Sequence, residues 1–257
     1  TGKHVLDFQH QLLTQGLKVA SVKTARRPLT TMLNSAVRFG FRDSNPTMSV
    51  PLPRDPRRGP AGTRLGLCDI DALLEAARAA SPQIDLFVHL GVTRGLRRGE
   101  ICGLWWDDIN YETGEIYVTH NLIESSVYGV DGTPVTELVR KDPKSVTSCR
   151  TLTLSSDIER ALKRVKTQQS KDRLASDETW PCEPYVFTAR HGQPLWPRNL
   201  SRSFRRFVQK NDLPNIASHD LRRTFANAAS SSGAPIEQIS EALGHASIGI
   251  TKSLYIG

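Results

Sequence analysis

The last forty residues of the chain bring together two histidines, an arginine and a tyrosine. His219 and Arg222 are three residues apart, and His245 and Tyr255 follow them. If a helix begins at Asp220, His219 and Arg222 lie on one face of its first turn, where free backbone N–H groups favour an anion. This pattern predicts a phosphate-binding site. No acidic cluster accompanies these residues, so a metal site is not indicated.

Four sequence motifs resemble those of one known family. His219-Asp220-Leu221-Arg222 and Leu243-Gly244-His245, followed by Tyr255, are similar to the C-terminal signature of the tyrosine recombinases, the phage integrase family. Upstream, residues 95–100 (Gly-Leu-Arg-Arg-Gly-Glu) resemble the family's first arginine motif, in which the arginine after Gly-Leu is catalytic. The preceding residue is Arg94, where the family usually has a small residue or threonine. The resemblance covers nearly the whole chain.

The resemblance implies a site-specific DNA recombinase, or integrase, that cleaves and rejoins DNA through a covalent 3′-phosphotyrosyl intermediate. Such an enzyme integrates or excises a phage or mobile element. The implied nucleophile is Tyr255, and Glu100 is the implied supporting carboxylate. The family has a lysine on the turn of a small hairpin ahead of a strand, which Lys144 matches, and Lys141 is the alternative. The implied catalytic set is Arg97, Lys144, His219, Arg222, His245 and Tyr255.

Phosphoryl transfer from a DNA phosphodiester to a tyrosine requires stabilisation of the negative charge that develops on the non-bridging oxygens. Arg97 and Arg222 suit this task, because a guanidinium binds two phosphate oxygens in a fixed fork and does not deprotonate. A histidine with a pKa of ~6.5 can accept the proton of a tyrosine with a pKa of ~10. Since the phosphotyrosyl bond conserves the energy of the broken phosphodiester, we expect no metal ion and no ATP as cofactor.

Basic residues are concentrated at the start of the chain. Residues 1–64 contain 11 lysines and arginines against three aspartates, so they carry the whole formal charge of +8. The remaining residues are neutral, with 23 basic and 23 acidic side chains. This asymmetry predicts electrostatic contact with a polyanion. The DNA-binding residues that we expect are Lys18, Lys23, Arg26, Arg27, Arg57 and Arg58.

The composition divides the chain into three parts. Residues 1–49 are predicted to form a small helical DNA-binding domain, similar to an incomplete SAM-like core-binding domain of the family. Residues 50–63 contain four prolines, two glycines and three arginines, and this indicates a basic linker. Residues 64–257 resemble the catalytic domain. The expected fold is therefore mainly α with a small antiparallel β-sheet, an α+β catalytic domain preceded by a small all-α domain.

Hydrophobic periodicity and capping residues predict the individual elements. We expect one helix ending at Gly16 and a second between Ser21 and Gly40, with a kink or a split at Pro28. Alternation predicts a hairpin between strands 116–118 and 135–139, and a third strand at 151–154. Further helices are expected at residues 69–80, 82–92, 156–175, 198–211 and 220–232.

Two other classes of protein stay open at this point. A DNA-binding module without catalysis would lack at least one of the six catalytic residues, and all six are present. A type IB topoisomerase uses nearly the same residues and relaxes DNA as a monomer. Formation of a Holliday junction between two recombination sites would distinguish a recombinase from it.

The resemblance also implies the partners of the protein. They are double-stranded DNA core or attachment sites, further copies in a homotetramer on two duplexes, and accessory DNA-bending or directionality proteins. Four widely spaced cysteines argue against a zinc site or a disulfide framework. No apolar run approaches the ~20 residues of a membrane span. We therefore expect a protein of the bacterial cytoplasm, associated with the nucleoid when bound to DNA, with no membrane partner.

Overall fold

The computed structural model of the protein describes residues 1–54, 65–129, 131–142, 149–176, 180–181, 184–244, 249 and 251. The chain divides into two compact units, residues 1–61 and 62–257. The described elements are mainly helices, with short antiparallel strands in the second unit. This confirms the predicted mainly α fold with a small antiparallel sheet. The predicted domain boundaries stay predictions, because most of the linker lies outside the described residues.

The first unit contains two helices, α1 (Gly2–Thr14) and α2 (Val19–Arg38). Gly16 follows α1 with a φ of 84°, a left-handed conformation that favours glycine, and α1 ends where the sequence predicts. Of the kink or split predicted at Pro28, the split does not occur, because α2 continues through this residue, and the kink stays a prediction. Residues on both sides of the proline contact the rest of the unit, so the loss of one backbone hydrogen bond does not break the helix.

Arg26 lies on the buried face of α2 and holds the first unit together. Its guanidinium donates to the carbonyl oxygens of Thr47 and Val50, the latter at 2.8 Å, and to Oε1 of Gln9 at 2.9 Å. The residue is only 7% exposed. A DNA phosphate has no access to a guanidinium buried in this way. The DNA-binding role predicted for Arg26 is therefore corrected to a packing role.

The second unit is built around one central helix. Every residue of this helix from Ile84 to Val92 is buried. The predicted helices of the unit are confirmed, and two short ones, α5 and α9, are additional. Among the described residues, no helix has the length and apolarity of a membrane span. The described helices are α3 (Leu67–Ala79), α4 (Pro82–Arg94), the central one, α5 (Arg98–Cys102), α6 (Ser156–Leu174), α7 (Pro197–Lys210), α8 (Ser218–Ser231) and α9 (Ile236–Leu243).

A buried charged group links α4 to α6. Asp85 and His89 of α4 are both buried, and Nδ1 of His89 lies 3.0 Å from Oδ1 of Asp85. Arg164 of α6 forms an ion pair with the same carboxylate. Burial acts to lower the pKa of His89, but the hydrogen bonds and charge of Asp85 outweigh it, so that the pKa is raised above its ordinary value. These contacts fasten the central helix to α6.

Two small antiparallel sheets follow α5. The strands are β1 (Ile109–Asn110), β2 (Glu115–Val118), β3 (Asn121–Tyr128), β4 (Pro134–Lys141) and β5 (Arg150–Thr153). The first sheet has the order β1-β2-β5, and β3 and β4 form a hairpin. The predicted pairing of strands 116–118 and 135–139 is therefore wrong, since β2 pairs with β5 and β4 pairs with β3. The sequence does not predict strand β3. Only Leu122 of this strand is buried, so apolar and polar residues do not alternate along it.

We expect Arg26→Met to destabilise the first unit by about 2–4 kcal/mol, because two buried backbone carbonyls lose a charged donor. Hydrogen exchange of the α1 and α2 amides, measured on the whole chain, reports this local opening. Arg27→Met is the matched control, since Arg27 is exposed on the same helix. Its amide protection should match that of the parent protein. Equal protection in both variants would contradict the packing role of Arg26.

Candidate active site

A groove in the second unit collects basic side chains from several elements. It is lined by residues at the starts of α5, β3, α7 and α8. Arg97, Arg98, Arg198 and His219 lie in its walls, and Glu124 contributes a carboxylate. Within the described part of the chain, no cluster of His, Cys, Asp and Glu side chains is placed to hold a metal ion. The charge balance of the groove favours an anion.

Arg97 lies directly before α5 and is held from two sides. Its Nη1 donates to Oε1 of Glu100 at 2.7 Å, and its Nη2 donates to the carbonyl oxygen of Gly244 at 3.2 Å. Its backbone N–H donates to Oε2 of Glu100 at 2.7 Å. The side chain remains 38% exposed. Two sequence motifs that are 147 residues apart therefore meet at this guanidinium.

Gly95 allows the two motifs to approach each other. Its φ is 64°, in the left-handed region, and a Cβ atom there would lie 2.6 Å from Phe225 and 2.8 Å from Leu243. Both conformation and space therefore require glycine. The neighbouring Arg94, which departs from the family's motif, donates through Nε to the carbonyl oxygen of Thr153 at 2.9 Å. Its side chain is thus engaged at the end of β5.

Arg222 projects from the first turn of α8 into the protein and is only 1% exposed. Its Nη1 donates to the carbonyl oxygen of Gly95 and its Nη2 to that of Leu243, both at 2.6 Å. The C-terminal carbonyls of a helix such as α9 carry partial negative charge, which suits a buried cation. Arg222 therefore joins the first arginine motif to the end of α9, next to the residue that binds Arg97.

Glu100 is a buried carboxylate that two arginines share. Besides Arg97, it binds Arg150, whose Nη2 lies 2.9 Å from Oε2 and whose Nη1 lies 3.3 Å from Oε1. Burial acts to raise the pKa of Glu100, but the hydrogen bond and charge of Arg150, followed by those of Arg97, lower it below its ordinary value. Glu100 is thus ionised, and its contact with Arg97 fits the orienting role that the resemblance implies. Arg150 follows the predicted lysine turn in the sequence and is not among the predicted site residues.

His219 is exposed at the N-terminus of α8, which begins two residues earlier than predicted. Partial burial of the ring, followed by the charges of Arg222 and Arg223, lowers the pKa of His219, and the opposing charge of Asp220 does not compensate. A histidine with a lowered pKa is neutral near pH 7. It can therefore accept a proton or a hydrogen bond there.

Several of the predicted site residues fall outside the described part of the chain. Among the described ones, Lys141, the alternative to Lys144, is exposed at the end of β4 and pairs with Asn121. Directly opposite residues of an antiparallel pair share one face, and Asn121 lines the groove. Lys141 therefore lies on the same face of the hairpin as Asn121. The residues outside the described part are Lys144, His245, Tyr255, Arg57 and Arg58.

Helix α7 carries basic side chains that were not predicted to bind DNA. Arg198, Arg202 and Arg205 are exposed, and their spacing places them on one face. On the same face, Ser201 accepts a hydrogen bond from Arg98 at 2.9 Å, so this face adjoins the groove. The composition of this segment could have indicated a DNA-binding surface, since residues 197–210 contain five basic and no acidic side chains.

The first unit also exposes basic side chains. Lys18 and Arg27 are exposed and Lys23 is half-buried, in contrast to the buried Arg26. These three cations all belong to α2 or to the residue before it. They are available to a polyanion, and their contact with DNA stays a prediction.

Comparison with known proteins gives matches over most of the chain. A family model described as "Phage integrase family" matches residues 64–257. A "Tyrosine recombinase XerC-like" protein of Caldanaerobacter subterraneus subsp. tengcongensis is 26% identical over 255 residues, which cover 96% of this chain and 65% of that protein. An "Integrase" of Streptomyces ambofaciens is 27% identical over 196 residues, which cover 74% of this chain and 48% of that protein. The chain thus spans less than two thirds of the length of these relatives.

The structure is also similar to a solved one. The Tn1549 transposon integrase, solved in complex with a circular intermediate DNA, superposes with a TM-score of 0.80 and covers 99% of this chain and 80% of that chain. The two proteins are 19% identical in sequence. At this identity, the similarity establishes that the fold is shared.

We expect His219 to titrate below the ordinary histidine pKa of ~6.5, because partial burial and nearby guanidinium charges disfavour the imidazolium. NMR of the ring signals between about pH 4 and 8 measures the pKa. Arg223→Gln removes one of the nearby charges and should raise it. Lys163→Gln, a charge change on α6, is the control and should leave it unchanged. A pKa at or above the ordinary value in the parent protein would show that burial and the guanidinium charges do not control this ring.

Proposed function

Because the chain belongs to the phage integrase family, we propose that it is a tyrosine recombinase acting at specific sites of mobile-element DNA. It cuts and rejoins strands through a covalent 3′-phosphotyrosyl intermediate. The observation that carries this proposal is the convergence of Arg97 and Arg222, whose guanidiniums bind the carbonyl oxygens of the successive residues Gly244 and Leu243. The groove lined by Arg97 also contains His219.

In this proposal, the scissile phosphate binds at the partly exposed guanidinium of Arg97, with the buried charge of Arg222 nearby. Arg97 stabilises the negative charge that develops on the non-bridging oxygens by direct contact, and Arg222, whose Nη atoms bind backbone carbonyls, contributes the electrostatic field of its buried charge. A preorganised donor of this kind contributes on the order of 10²–10³ in rate. His245 completes the set by donating a hydrogen bond to the same phosphate.

The covalent step exchanges one phosphorus–oxygen bond for another. The phenolic oxygen of Tyr255 attacks phosphorus, and its proton passes to His219, which is neutral at the start. The bond from phosphorus to the 5′-oxygen breaks, and Lys144 protonates that oxygen. A 5′-hydroxyl from another strand then reverses these steps and releases Tyr255. Because the two bonds are similar in energy, no ATP is required, and the arginines, Lys144 and the histidines take the place of a metal ion in stabilising charge.

DNA contacts extend beyond the groove in this proposal. The exposed arginine face of α7, formed by Arg198, Arg202 and Arg205, binds backbone phosphates next to the cleavage site. The first unit binds DNA through Lys18, Lys23 and Arg27, and it carries most of the excess positive charge of the protein. The solved Tn1549 transposon integrase, which is in complex with a circular intermediate DNA, supports DNA as the partner.

We further propose that strand exchange takes place in a homotetramer on two DNA duplexes in the bacterial cytoplasm. Two duplexes must be held together, because a strand cut on one is rejoined to the other. Accessory DNA-bending or directionality proteins select between integration and excision. Formation of a Holliday junction between two recombination sites would support this proposal. Relaxation of DNA without a junction would indicate a type IB topoisomerase instead.

Tyr255→Phe should abolish covalent attachment to DNA and leave DNA affinity within a few-fold of the parent, since only one hydroxyl is lost. A nicked suicide substrate traps the covalent complex, and a denaturing gel reveals it as a protein–DNA band. The reaction is run in excess EDTA, and attachment by the parent protein should persist.

Tyr128→Phe is the matched control, because Tyr128 is an exposed tyrosine at the end of β3 and its variant should form the covalent complex normally. A covalent band from Tyr255→Phe would disprove the nucleophile. Loss of the parent's activity in EDTA, with recovery on adding Mg²⁺, would indicate a metal-dependent nuclease instead.

Replacing Arg202 and Arg205 together by glutamine should weaken DNA binding and reduce the slope of log K against log salt by about 1–2 units, because each lost phosphate contact removes ~0.9. Fluorescence anisotropy between about 50 and 200 mM salt measures both quantities. Lys210→Gln is the control, since Lys210 is exposed on α7 beside a separate cleft lined by α3 residues. A slope equal to that of the parent would show that α7 does not contact DNA phosphates.

A further inference from the structure

The carboxylate of Glu100 binds the side chain of Arg150 through both of its oxygens and the side chain of Arg97 through only one. Arg150 donates to both carboxylate oxygens, and its side chain is 6% exposed, as is that of Glu100. Arg97 makes one side-chain contact, to Oε1, and its side chain is 38% exposed. Arg150 is therefore the buried partner of Glu100, and Arg97 is the partner that reaches the groove.

The three formal charges decide what Arg97 can offer to an anion. Glu100 paired with Arg97 alone would form a neutral pair, and partial burial would strengthen the attraction between the two groups. Arg150 adds a second positive charge, so that the sum for Arg97, Glu100 and Arg150 is +1. The guanidinium of Arg97 is then oriented by a carboxylate whose charge is already compensated from the other side.

We propose that Arg150 is a positioning residue that compensates the charge of Glu100, so that Glu100 orients Arg97 without cancelling its attraction for phosphate. This inference rests on the proposed function and adds a residue to its machinery. Both ends of β5 are attached near the first arginine motif, Arg150 to Glu100 and the carbonyl oxygen of Thr153 to Arg94. The compensating charge is therefore held by a fixed strand.

Arg150→Gln keeps a hydrogen-bond donor and removes the charge. Glu100 should then bind Arg97 as a full counter-ion, and the rate of covalent attachment at saturating DNA should fall on the order of 10²-fold. DNA affinity should change far less, because the other phosphate contacts are intact. The rate is measured with the suicide substrate, and affinity by anisotropy.

The double variant Arg150→Gln/Glu100→Gln tests the charge argument directly. If uncompensated charge on Glu100 causes the loss, its removal should restore the rate by about 10-fold over Arg150→Gln alone, a change of about 1.4 kcal/mol. If Arg150 only anchors β5, removing the charge of Glu100 should not restore the rate of covalent attachment. A double variant that is as slow as Arg150→Gln, or slower, would overturn the proposal.

Arg150→Lys keeps the positive charge and provides a second test if the glutamine variant fails to fold. Its rate should be well above that of Arg150→Gln, because the charge is kept although lysine loses the bidentate contact with Glu100. A folded lysine variant whose rate of covalent attachment falls on the order of 10²-fold would overturn the charge role. Thermal unfolding and amide exchange establish folding for every variant.

Arg97→Ala and Tyr255→Phe are measured in the same experiment. If either variant still forms the covalent complex at the parent's rate, the proposed function itself fails. If both lose it while the Arg150 variants retain the parent's rate, only the inference about Arg150 fails.

Discussion

The buried guanidinium of Arg222 is the interaction on which the rest of the site depends. A buried cation must find acceptors or it destabilises the fold, and Arg222 finds them at the carbonyl oxygens of Gly95 and Leu243. This requirement brings the end of α4 and the end of α9 together, and it leaves no room for a side chain at Gly95. Arg97 can then reach the carbonyl oxygen of Gly244. The convergence of Arg97 and Arg222 thus follows from the need of the buried Arg222 for hydrogen-bond acceptors.

The same positive charges set the protonation of the neighbouring groups. Arg150 and Arg97 keep the buried Glu100 ionised, although burial alone would raise its pKa. Partial burial of its ring, followed by the charges of Arg222 and Arg223, lowers the pKa of His219 and favours its neutral form. An ionised carboxylate that orients a cation and a neutral imidazole that can accept a proton are the states that phosphoryl transfer requires near neutral pH. The electrostatic field of the site and its chemistry are therefore consistent with each other.

The two neighbouring arginines of α2 illustrate what composition leaves undecided. Arg26 and Arg27 contribute equally to the net charge of the first unit, yet Arg26 is buried against backbone carbonyls and Arg27 is exposed. Because 100° separates successive residues on a helix, Arg26 can lie on the packed face while Arg27 lies on the exposed one. A basic count predicts a polyanion as partner, but it does not identify the side chains that reach it.

The sequence by itself determined the features that depend on local order. Periodicity predicted α1, α6 and α7, and the residues at 95–100 and 219–222 indicated a phosphate site and its family. The tertiary structure alone decided which distant groups meet. The partner of β4, the burial of Arg26 and the contact of Arg150 with Glu100, 50 residues away, leave no periodic signal. The physical reason is that helix formation is governed by neighbours three and four residues apart, whereas strand pairing and buried ion pairs depend on how the whole chain packs.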